Sequence, residues 1–73
     1  MDTRRPMAEK NLLELLNWEL AAYEECEGCH FTAITANDDE RNWDARLEGG
    51  VVTGQMIARQ VVAQTRRAFN LVH

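Results

Sequence analysis

The chain has 73 residues, 45% hydrophobic and 27% charged, with one proline, four glycines and a net charge of −4. That is room for one domain, residues 1–73, with a single small core, and its composition excludes an extended disordered tract. No apolar run nears the ~18 residues of a membrane span. Leu12 to Tyr23 is interrupted by Glu14, Asn17 and Glu19, so neither a membrane segment nor a signal peptide is expected. A cytoplasmic location follows as the default, where thiols stay reduced.

In chain order, Pro6 can open a helix, because its missing N–H would be unpaired in the first turn anyway. The helical period then runs to about Glu25. Leu12, Leu13, Leu16, Leu20 and Tyr23 form one stripe at 100° per residue, and Leu15, Trp18 and Ala22 form a neighbouring one. Together they cover more than half the circumference, which is wide for a helix that touches one core. Either the helix is sandwiched within the fold, or its second stripe meets another molecule. Gly28 suits the C-terminal end of this helix.

His30 to Ala36 is rich in β-branched and aromatic residues and reads as a strand, although Phe31 and Ile34 would point to opposite faces. Asn37 to Asn42 is a polar turn. Trp43 to Glu48 alternates cleanly, with Trp43, Ala45 and Leu47 on one side and Asp44, Arg46 and Glu48 on the other. Gly49-Gly50 breaks the chain, and Thr53 is expected to cap a second helix. Ile57, Ala58, Val61, Val62, Thr65, Ala68, Phe69 and Val72 form its apolar face, opposite Gln55, Arg59, Arg66 and Asn70. The expected fold class is α+β in helix–strand–strand–helix order, an antiparallel β-hairpin with two helices packed on one face.

Cys26-Glu27-Gly28-Cys29-His30 matches the attachment signature of c-type haem, two thiols for the vinyl groups and an adjacent His for the iron. Haem attachment belongs outside the cytoplasm, and the residues after His30 read as a packed strand, so no haem and no other cofactor is expected. A structural zinc site wants four Cys or His ligands. The chain has Cys26, Cys29, His30 and the terminal His73 and no others, so a metal at Cys26, Cys29 and His30 is a second alternative only. Reactive CxxC pairs sit at helix N-termini. This pair follows a helix C-terminus among Glu24, Glu25 and Glu27, which favours protonated, poorly nucleophilic thiols that pin or fill the turn into the first strand, packed as small apolar groups or oxidised to each other.

Other chemistry is thin. There is no serine nucleophile and no glycine-rich phosphate loop, and Asp38, Asp39 and Glu40 lack the spacing of a calcium loop. No catalytic residues and no enzyme are expected. All twelve acids lie in residues 1–48, whereas residues 49–73 carry Arg59, Arg66 and Arg67 with no acid. That basic helix face is the candidate for nucleic acid or another anionic ligand, although one lysine and an acidic whole argue against nucleic acid.

Three runs, NLLELLNWELAAYEECEGCHF (11–31), NWDARL (42–47) and RQVVAQTRRAFNL (59–71), together resemble a family of small uncharacterised bacterial proteins, some phage-associated. Its members share a Cys-x-x-Cys before a Phe and an Asn-Trp in the second strand. The resemblance implies no assigned activity and no catalytic residues to carry over. A basic residue other than His after the second Cys in its members implies that haem ligation is not the role. The leading expectation is a non-enzymatic interaction module, a homodimer or a binder of a partner protein, using Leu15, Trp18 and Ala22. The alternative is anion binding through Arg59, Arg66 and Arg67.

Overall fold

The structure, a computed structural model, describes residues 5–36 and 43–72, with Val72 described by its backbone alone. The elements are β1 (Arg5–Ala8), α1 (Glu9–Leu20), a 3-10 turn at Glu24–Cys26, β2 (His30–Ala36), β3 (Trp43–Glu48), α2 (Val52–Ala68) and β4 (Phe69–Val72). This is an α+β fold with two helices and two sheets. The antiparallel hairpin β2–β3 forms one sheet, and β1 pairs in parallel with β4 in the other. Helix α1 packs chiefly on β2, and α2 packs on β3 and on the 3-10 turn. The predicted turn at 37–42 and the candidate ligand His73 lie outside the described residues. Among the described residues, no helix is long and apolar enough to cross a membrane.

The observed order differs from helix–strand–strand–helix by the two terminal strands. Pro6 does not open a helix. It sits in β1, whose pairing matches Pro6 with Asn70, and a short edge strand tolerates the missing donor. Helix α1 then starts at Glu9, whose carboxylate suits the positive end of the helix dipole. It stops at Leu20 rather than near Glu25. Its last bonds tighten to the 3-10 pattern, with the Ala22 N–H donating to Glu19 O and the Tyr23 N–H to Leu20 O. Tyr23, expected in the core stripe, is therefore off the helix and 42% exposed.

The N-cap of helix α2 falls two residues ahead of the expected one. Val51 occupies the N-cap in extended conformation, with no side-chain cap, and Thr53 is already helical and exposed. The helix ends at Ala68 because Phe69 turns extended (φ −137°, ψ 143°) to start β4. Ala68, expected to be buried, is exposed. Pairing with β1 has overridden an apolar period that would have continued the helix.

Leu12, Leu16, Leu20, Cys26, Phe31, Ile34, Trp43, Ala58, Val61, Val62 and Leu71 form one buried cluster. Phe31 and Ile34 are both in it, although a regular strand would put them on opposite faces. A bulge accounts for this: Phe31 pairs with Leu47 but Ala33 pairs with Arg46, so Thr32 is an extra residue. Beyond the bulge Ile34 lies opposite Ala45 and Ala36 opposite Trp43, which returns Ile34 to the core face. Asn17 of α1 steadies this strand from the side. Its Oδ1 accepts the Phe31 N–H at 2.8 Å, and its Nδ2 donates to Phe31 O at 3.1 Å. One side-chain amide thus satisfies both backbone groups at an edge that would otherwise be open. The two helices are tied by the buried Thr65 hydroxyl, which donates to Glu19 Oε2 at 2.9 Å.

Candidate functional site

The Cys-x-x-Cys run is set by a turn of defined type. Glu27 has φ −57° and ψ 128°, Gly28 has φ +86°, and the Cys29 N–H donates to Cys26 O at 2.9 Å. Those values are a type II β-turn with glycine at its third position, where a left-handed backbone is required. Gly28 therefore closes the turn between the cysteines and does not cap α1.

All four glycines of the chain converge on this turn. A Cβ built on Gly49 would overlap Gly28 O, and one on Gly50 would overlap Cys29 Sγ. A Cβ on Gly54, in the first turn of α2, would overlap Glu25 O and come within 3.1 Å of Cys29 Sγ. The Cys29 thiol is half-buried in the niche so formed. Cys26 is buried, and its Sγ donates to Gly54 O at 3.4 Å. Gly28 is 21 or more residues from Gly49, Gly50 and Gly54, so their convergence on one turn depends on the tertiary fold.

Sequence order places the cysteines behind a helix C-terminus, but folding brings the start of α2 against them. Burial pushes the Cys26 thiol up, with the neighbouring Cys29 and Glu25 adding in the same direction. Cys26 is accordingly protonated at neutral pH. A cleft of about 590 Å³ opens onto the pair, lined by Asn17, Tyr23, Glu24, Glu27 and His30 along with both cysteines. His30 is exposed at the start of β2, opposite Glu48. Among the described residues, no three His, Cys, Asp or Glu side chains gather closely enough to hold a metal ion, so Cys26, Cys29 and His30 do not form a ligand set.

The three candidate anion-binding arginines are not equivalent. Arg66 is half-buried, 3.4 Å from Asp44 Oδ1, and its Nη1 approaches Trp43 O at 3.5 Å. Arg59 is exposed and shares with Arg66 and Asp44 a cleft of about 270 Å³ between α2 and β3. Arg67 is fully on the surface. Arg66 is thus a structural residue that joins α2 to the hairpin. Replacing it with alanine is expected to cost about 0.5–1.5 kcal/mol in urea unfolding, the range for a partly screened ion pair plus lost stem packing. The same change at Arg67 should lie within about 0.5 kcal/mol of wild type. Equal effects at the two positions would contradict this assignment.

The second stripe of α1 divides. Leu15 is half-buried, Ala22 is exposed, and Trp18 is 74% exposed. Trp18 and Ala22 border a shallow groove of about 190 Å³, completed by Glu19, Tyr23, and Val61 and Gln64 of α2. Fold and surface together define a small α+β protein with a thiol-bearing turn and a helix–helix groove bordered by Trp18. Comparisons with protein-family models, with curated proteins and with solved structures found no match.

Proposed function

We propose that the protein is a non-catalytic interaction module that pairs with a second copy of itself through the groove between α1 and α2. The observation that carries this reading is Trp18, a large aromatic 74% exposed beside Ala22, Tyr23 and Val61. Tryptophan is among the residues most enriched at binding hot spots, and burial of this one would offset the thin core of a chain this short. A second copy fits as the occupant because the same chain carries both halves of the contact: about a two-fold axis, Trp18 of each copy can enter the groove of the other.

Sedimentation velocity across a concentration series tests this. The expected result is a dimer at high micromolar concentration. Trp18→Glu should raise the dissociation constant about 30-fold or more, the equivalent of one 2 kcal/mol hot spot. Its circular dichroism and melting as a monomer should stay unchanged. A wild-type chain that stays monomeric at high micromolar concentration would overturn the reading.

A further inference from the structure

We infer that Cys26 and Cys29 are a thiol–disulfide exchange site, taking a positively charged small-molecule disulfide in the cleft above them. The inference does not depend on self-association. It rests on the type II turn, which brings the ends of a four-residue segment to within about 7 Å between Cα atoms. A disulfide needs about 4.4–6.8 Å, so the pair can be bridged with side-chain rotation and little backbone movement. Both thiols are free, and both line the 590 Å³ cleft.

The two thiols are placed for different roles. Cys29 is half-buried, beside the first turn of α2, whereas Cys26 is buried and donates to Gly54 O. Cys29, once deprotonated, attacks one sulfur of the external disulfide, giving a mixed disulfide and releasing the first small thiolate. Cys26 then leaves Gly54 O, gives up its proton to water, and attacks Cys29 Sγ. The Cys26–Cys29 bond forms and the second small thiolate leaves. Two protein thiols are oxidised, one external disulfide is reduced to two thiols, and both protons pass to the products. Charge selects the reagent: the lining carries Glu24 and Glu27, with His30 as its one basic group. A cationic disulfide is drawn in and an anionic one is repelled.

The test uses the full chain with cystamine (cationic), hydroxyethyl disulfide (neutral) and oxidised glutathione (anionic), read by intact mass. The wild type should end about 2 Da lighter, with no lasting adduct, as expected for an internal disulfide. Relative to the same chain in urea, folding should raise the cystamine-to-glutathione rate ratio at least tenfold, and salt should reduce that gain. Cys26→Ser should stop at a mixed disulfide on Cys29. Should that variant fail to fold, brief iodoacetamide treatment of the wild type replaces it, with Cys29 expected to be modified before Cys26. A stable adduct on the wild type, no oxidation by any of the three, Cys26 reacting first, or a rate ratio unchanged by folding would each overturn the proposal.

Discussion

Trp43→Ala should cost about 3–5 kcal/mol of stability, the most severe effect expected of any single substitution in the core. Trp43 is fully buried, among the largest side chains with no exposure at all, beside Leu12 and Leu16. Its indole N–H donates to Phe69 O at 3.0 Å, so it joins the hairpin to β4 as well as filling the core. Removing a buried aromatic costs about 3–5 kcal/mol. A chain of this length has roughly 4–11 kcal/mol in total, at about 0.05–0.15 per residue. The loss therefore takes from about a quarter to all of the margin. Trp43→Phe separates the two contributions: most of the ring volume remains, while Phe69 O loses its donor at a cost of about 1–3 kcal/mol. Urea unfolding followed by circular dichroism measures both. A loss below about 1 kcal/mol for the alanine variant would mean that Trp43 is not the centre of this core.

Gly54→Ala should also destabilise, against what helix propensity alone predicts. Alanine in place of a helical glycine gains about 1 kcal/mol in an ordinary exposed helix. Here the added methyl would overlap the backbone carbonyl of Glu25 and press on Cys29 Sγ. A backbone group cannot rotate away, so the 3-10 turn and the start of α2 must separate, and a net loss of about 1–3 kcal/mol is expected. The double variant Gly54→Ala, Cys29→Ala is the discriminating control. Because the main obstacle is Glu25 O, shrinking Cys29 should restore little of the loss. Full restoration would place the conflict at the thiol alone, and a stabilised single variant would show that α2 does not approach the turn as described.

The parts of this fold that were readable in advance are those whose burial follows a local period. Leu12, Leu16 and Leu20 recur on one helical stripe and are buried, and Ala58, Val61, Val62 and Thr65 do the same in α2. Trp43, Ala45 and Leu47 alternate toward the core as a half-buried strand must. What was not readable depends on partners distant in the chain. Arg5–Ala8 and Phe69–Val72 are four-residue strands without internal alternation, and only their mutual pairing makes them strands. The Thr32 bulge reverses the facing of Phe31 and Ile34, which no period-two reading can anticipate. At the candidate site, the cysteine pair was conspicuous as a motif. Its surroundings were misjudged from sequence order, because the start of α2 and three of the four glycines reach it from residues 49–54. The apolar stripe Leu15, Trp18 and Ala22 was legible as an excess of hydrophobic surface on one helix.

The parallel pairing of β1 with β4 also sets an order of events during synthesis. Arg5 lies opposite Phe69 and Ala8 opposite Val72, so the first described strand waits for the last before it has any partner in the sheet. The Trp43 indole likewise finds its acceptor only when Phe69 is in place. Contacts of such long sequence separation form late and limit the rate of folding. On the ribosome, α1 and the hairpin can assemble as the chain emerges, but the sheet closes only after α2 and the residues behind it have cleared the exit tunnel. A growing chain arrested before Phe69 would hold a hairpin without its latch, and its protease sensitivity would drop abruptly once Phe69–Val72 is free to pair with Arg5–Ala8.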